Sequence, residues 1–157
     1  MMITTTILAI VESFLATLAY AVLFNVPKQY YTACGITGMA GWLLYLAMCQ
    51  VTTVALASFV GTLAVVLISR IFTVRKKCPI TIFLVSGIIP LVPGAGIYYT
   101  AYYLVTGQMS LAAVKGLEAV KIAFAIVLGI IFVVSIPRDA FQIRYWRAKR
   151  KRKRLKN

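Results

Sequence analysis

The stretch from Ile88 to Tyr103, IIPLVPGAGIYYTAYY, limits the folds open to this chain more than any other. It lies in an apolar run long enough to cross a bilayer, yet two prolines and two glycines sit at its centre. A proline has no N–H to donate, and its ring clashes with the carbonyl four residues back. A helix entering at Pro79 is therefore expected to stop near Ile89. Pro93 suits the first position of a new helix, where a missing N–H costs nothing. The first half, Ile80 to Ile89, reaches about 15 Å, half of a ~30 Å hydrocarbon core. The second half, from Gly94 to about Val105, supplies the remainder. Lipid cannot satisfy irregular backbone, so the break must face protein or a watery cavity.

Composition places the rest of the chain around this break. Hydrophobic residues make up 62% of the 157 positions, and the mean hydropathy is +0.92. That is the membrane class, at one domain's length. Glu12, Glu118 and Asp139 are the only acidic residues, and histidine is absent. Acid/base catalysis and metal binding are poorly supplied, so no enzyme, metal or cofactor is expected. Cys34, Cys49 and Cys78 are widely spaced, without a C-x-x-C, and read as small buried residues.

The pattern predicts an all-α integral membrane protein with five transmembrane helices. They fall at about 3–24, 32–48, 54–72, 80–105 and 111–136, the fourth broken at Pro90–Gly96, with a basic tail over 138–157. The first run resembles a signal peptide, but no basic residue precedes it and Glu12 interrupts it, so it is read as retained. It ends at Asn25-Val26-Pro27. Gly35, Gly38 and Gly41 trace one slowly drifting face for close packing in lipid. Trp42 and Tyr45 are expected at the interface, as are most of Tyr98, Tyr99, Tyr102 and Tyr103. Arg70, Arg75, Lys76 and Lys77 are expected to form a basic loop before Pro79. The two sides differ 15 to 2 in Lys and Arg, with ten of them from Arg138 onward. This places the N-terminus outside and the C-terminus in the cytoplasm. An odd number of spans without an internal repeat fits half of a larger assembly.

A broken span at membrane depth presents a half-helix N-terminus, with its positive dipole end, to an anionic group. The candidate binding residues are Pro93, Gly94, Ala95, Gly96, Ile97, Tyr98 and Thr100. Ionisable groups within spans are the second set of candidates. Glu12 and Lys121 are expected at similar depth, either as an ion pair or in coupling and substrate holding. Glu118 lies between Lys115 and Lys121 at helical spacing and is expected to stay ionised. In the tail, Arg144, Arg147, Lys149, Arg150, Lys151 and Arg152 are candidates for anionic lipid at the cytoplasmic face. No nucleic-acid-binding motif is visible.

Three motifs together resemble the threonine/serine exporter family. They are FNVPK at Phe24 to Lys28, GxTGxxGW at Gly35 to Trp42, and GIIPLVPGAGIYYTAYYL at Gly87 to Leu104. KGLEAVKIAFAIVLGI, from Lys115 to Ile130, continues the likeness. The chain is similar to the short-subunit type, equivalent to the C-terminal membrane half of the single-chain exporters. The resemblance implies an inner-membrane, proton-driven exporter of small hydroxy amino acids that works with a larger subunit. Some relatives are associated with small dicarboxylates instead. A scaffold or regulatory subunit, with the pathway in its partner, is the alternative role. The basic tail is longer than the family pattern.

Overall fold

The computed structural model describes residues 2–136, with side chains described from residue 7 onward. The basic tail and its six candidate lipid contacts lie outside the described residues. Within them the chain is helical: α1 Met2–Leu23, α2 Tyr31–Cys49, α3 Val54–Lys76, α4 Thr81–Ile88, α5 Gly94–Val105 and α6 Met109–Val134. Two 3₁₀ turns, Lys28–Tyr30 and Ile89–Leu91, precede α2 and follow α4. Among the described residues there is no strand. Three helices are long and apolar enough to cross a membrane: α2 with its leading turn, α3 and α6. The segments Thr81–Leu91 and Gly94–Val105 meet at 51° and make a fourth crossing if taken as one span. Ile7–Leu23 is apolar but shorter. Length and composition thus support three to four crossings, where the sequence pattern predicts five.

The helix ends follow local chemistry. Asn25 adopts the left-handed region, with φ 53°. Its N–H donates to Val22 O, and the N–H of Val26 donates to Ala21 O at 3.0 Å. This is a Schellman termination, and buried Val26 and Ala21 share one apolar cluster across it. Pro27 then keeps the chain from re-entering the helix. Gly107 ends α5 in the same way, at φ 74°, with Gln108 N–H on Tyr103 O and Gly107 N–H on Leu104 O.

The basic loop expected from Arg70 onward is not a loop until Lys77. Arginine and lysine are good helix formers, and no breaker intervenes before Pro79, so α3 continues to Lys76. Lys77 turns the chain at φ 52°. Arg70 is buried inside α3, not displayed in a loop. Its Nη2 donates to Val134 O at 2.6 Å, and its Nη1 donates to Ile136 O. A cation there also meets the negative end of the α6 dipole.

Helix α2 is the axis of the bundle. A step of three residues turns a helix by 300°, so each glycine drifts about 60° from the last. Gly35 and Gly38 face Phe14 and Thr17 of α1, and Gly41 has turned to face Val65 and Gly61 of α3. Ser58, Gly61 and Thr62 of α3 are buried there and form a second face of small residues. Gly87 of α4 meets Thr37, Gly38 and Val65. A side chain at these positions would hold the backbones apart, and close approach is what packs helices in lipid. Helix α6 lies on α3 through Gly129 and Thr62. The pairings give relative directions: α2 and α4 run one way, α3 and α6 the other.

Trp42 and Tyr45, expected at the interface, are half-buried. They stack at 5.0 Å between ring centroids and pack on the core cluster of Val65, Leu91 and Ile126. The space opened by Gly41 and Gly61 draws the rings inward. Cys34 is buried, as expected, while Cys49 and Cys78 are half-buried, and all three are free thiols.

Candidate functional site

The interruption forms where the two prolines require it. Helix α4 stops at Ile88, and the chain tightens into the Ile89–Leu91 turn, which contains Pro90. Pro93 is not the first residue of the new helix, as expected, but the cap before it, at φ −77° and ψ 57°. Gly94 N–H donates to Val92 O at 2.8 Å across it. That is an inverse γ-turn centred on Pro93, and its ψ excludes Pro93 from α5. Pro93 O then accepts from Ile97 N–H at 3.0 Å, the first bond of the new helix.

This geometry leaves two donors over. Among the described residues the Ala95 and Gly96 amides have no backbone acceptor, and the Pro93 side chain at the cap supplies none. Such orphan amides, at the positive end of the dipole, attract a carboxylate or another anion. The break has a dry side and an open side. Leu91 is buried among Val65, Ile126, Trp42 and Tyr45. A Cβ placed on Gly94 would meet nothing within 4 Å. Ala95 and Ile97 are exposed beside it. Gly96 faces the other way, and a Cβ there would come to 3.3 Å from Ala119 Cβ of α6.

The predicted site residues separate by face. Thr100 is turned to α6: its hydroxyl donates to Gly96 O at 2.7 Å, and its methyl lies by Gly116. Tyr98 is exposed and stacks on Tyr102, with Tyr99 on Tyr103 one position along. Tyr98, Tyr99 and Tyr102 all lie on exposed surface. Helix α5 buries no residue of its own and rests on α6 through Gly96 and Thr100.

Among the described residues the ion pair is Lys115–Glu118, at 2.9 Å. It is exposed and adds little. Glu12 and Lys121 do not meet. Glu12 lies on the exposed face of α1, which packs on α2, α4 and the 3₁₀ turn; Lys121 is exposed on α6, which packs on α3 and α5. No cluster that could hold a metal occurs among the described residues.

The feature sequence reasoning missed is Arg70. Its burial had one available signal: it stands a helical turn beyond Val66 and one residue after Ser69, on the small-residue face of α3. The hydrogen bonding of the buried hydroxyls of Ser13, Thr17, Thr37, Ser58, Ser69 and Ser86 was not anticipated. Each donates to a carbonyl of its own helix. The bundle interior is therefore largely self-satisfied, with Thr62 and Thr73 as exceptions; α3 and α6 also begin without a bond from the cap side chain, and the α5 start differs in lying at a bend within one apolar segment.

A family model described as "Threonine/Serine exporter, ThrE" matches residues 9–136. No curated protein and no solved structure matches the chain.

Proposed function

The chain belongs to the threonine/serine exporter family, and from that premise we propose that it is a subunit of a secondary exporter whose substrate carboxylate docks on the first turn of α5. The supporting observation is the pair of unpartnered amides at Ala95 and Gly96, beside the open space at Gly94. A small zwitterionic amino acid offers the carboxylate such donors take. Ile97 and Tyr98 follow on α5 as exposed neighbours of that turn. A larger subunit of the same family covers α5 and closes the open side. In this reading α4 and α5 form one interrupted crossing, α1 is a fifth, and export runs across the inner membrane on the proton gradient. The N-terminus lies outside, and the basic tail meets anionic lipid in the cytoplasm.

The test is uptake of labelled threonine or serine into inverted vesicles holding this chain, its partner, or both. The expected result is transport only with both, stopped by collapsing the proton gradient. Gly94→Leu fills the open space without touching another element, so it should abolish transport at unchanged membrane abundance. Full transport by Gly94→Leu would remove the site. Transport by the partner alone would make this chain a scaffold. Transport of dicarboxylates instead would keep the amide site and change the substrate, since orphan amides recognise any carboxylate.

A further inference from the structure

The prolines that free amides at the start of α5 also deprive carbonyls of donors just before it. A carbonyl near a helix end bonds to the N–H three or four residues on. For Pro90 O those positions are Pro93, which has no N–H, and Gly94, whose N–H is taken by Val92 O. For Leu91 O they are Gly94 and Ala95, and the Ala95 amide makes no backbone bond. Ile89 O, one residue earlier, keeps the Val92 N–H at 3.0 Å. Among the described residues, Pro90 and Leu91 thus end the Thr81–Leu91 segment with carbonyls that receive no backbone donor.

Leu91 makes this costly, since the whole residue is only 4% exposed. Buried backbone carbonyls are almost always paired, and one left alone carries the full desolvation cost of the group. Every C=O of a helix points towards its C-terminal end, and every N–H towards its N-terminal end. The free carbonyls of Thr81–Leu91 and the free amides of α5 are therefore both turned towards the two connecting residues, Val92 and Pro93, where the segments bend by 51°. Acceptors at Pro90 and Leu91 border one side of the break, and donors at Ala95 and Gly96 border the other.

Resting on the carboxylate site argued above, we propose that the Pro90 and Leu91 carbonyls take the ammonium group of the same substrate. An ammonium brings three donors and no acceptor, and the negative end of a helix dipole favours a cation. An α-amino acid carries its ammonium and its carboxylate on one carbon, which suits a break with acceptors on one side and donors on the other. The break then selects α-amino acids by both charged ends. It rejects a dicarboxylate, whose second carboxylate would meet carbonyl oxygens. A sodium ion would bring the same positive charge to these carbonyls, and the experiment separates the two.

The test follows labelled threonine into inverted vesicles holding this chain and its partner, against competitors that each change one charged end. 3-Hydroxybutyrate lacks the ammonium, succinate carries a second carboxylate instead, and threoninol lacks the carboxylate. 3-Hydroxybutyrate and succinate should each compete at least roughly tenfold more weakly than unlabelled threonine. Replacing sodium by choline should leave uptake unchanged. In Pro93→Ala an N–H at position 93 gives the Pro90 carbonyl a donor, so the preference for threonine over 3-hydroxybutyrate should shrink roughly threefold or more. Thermal stabilisation of the purified complex by each ligand reads that preference even where transport is lost. Equal competition by 3-hydroxybutyrate or succinate, sodium-dependent uptake, or a preference untouched by Pro93→Ala would each overturn the ammonium site and leave the carboxylate reading standing. Equal competition by threoninol would do the reverse, keeping the ammonium contact and removing the carboxylate one.

Discussion

The α2–α3 seam and the α5–α6 seam use the same device and end in different states. In both, small residues bring two backbones together. At α2–α3, Gly41 and Gly61 face each other, with Gly41 O at 3.0 Å from where a Gly61 side chain would begin. Val65, Leu91, Trp42 and Tyr45 close over the contact. At α5–α6, Gly96 approaches Ala119 and Gly116 approaches Thr100, both at 3.3 Å, but no described element covers the far side of α5. A close helix contact thus becomes a rigid core only when other elements enclose it. Left on one neighbour, it holds a helix start in position while leaving its amides open.

The sharpest way to break this contrast is to enlarge a residue on each seam. Gly41→Leu drives a side chain into Val65 and should cost ~3 kcal/mol or prevent folding. The melting temperature of the purified protein in detergent would show it, and a melting point near that of the unaltered protein would mean the seam is not tight. Arg70→Met should cost about 2 kcal/mol, because two carbonyls at the end of α6 lose a charged donor. Arg70→Lys should recover only part of that, since one ammonium does not reproduce the guanidinium fork. Hydrogen exchange at Val134 to Ile136 would report the same loss locally.

Gly116→Leu should shift stability by about 1 kcal/mol or less, because α5 makes few other contacts to lose. It should nevertheless stop transport if the α5 start is the site, and unchanged transport would separate α5 from function. Lys115→Met should change neither stability nor transport measurably, since its pair with Glu118 is exposed. A clear loss in a thermal melt would mean that this pair is covered in the assembled protein.

Much of this was legible from residue chemistry acting locally. Pro90 and Pro93 interrupt a helix wherever they are put, and Asn25 and Gly107 accept left-handed backbone. Those effects act within a turn of the residue, so the helix ends and the break could be located without knowing the neighbours. Trp42, Tyr45 and Arg70 were less legible. An amphipathic ring or a guanidinium suits an interface and an interior equally, provided the interior supplies space or carbonyls.

The amino-acid order alone determined that this chain is helical, apolar and interrupted around Pro90 and Pro93, with Gly94 to Gly96 falling inside α5 and not in the break, because steric clashes and missing N–H groups are properties of the residues themselves. Only the folded bundle decided which side of that break is dry. Leu91 is buried because Gly41 and Gly61 let α2 and α3 close around it, and Gly94 is open because no element among the described residues lies beside it. Burial depends on what arrives from elsewhere in the chain, and no local pattern at Leu91 or Gly94 encodes that.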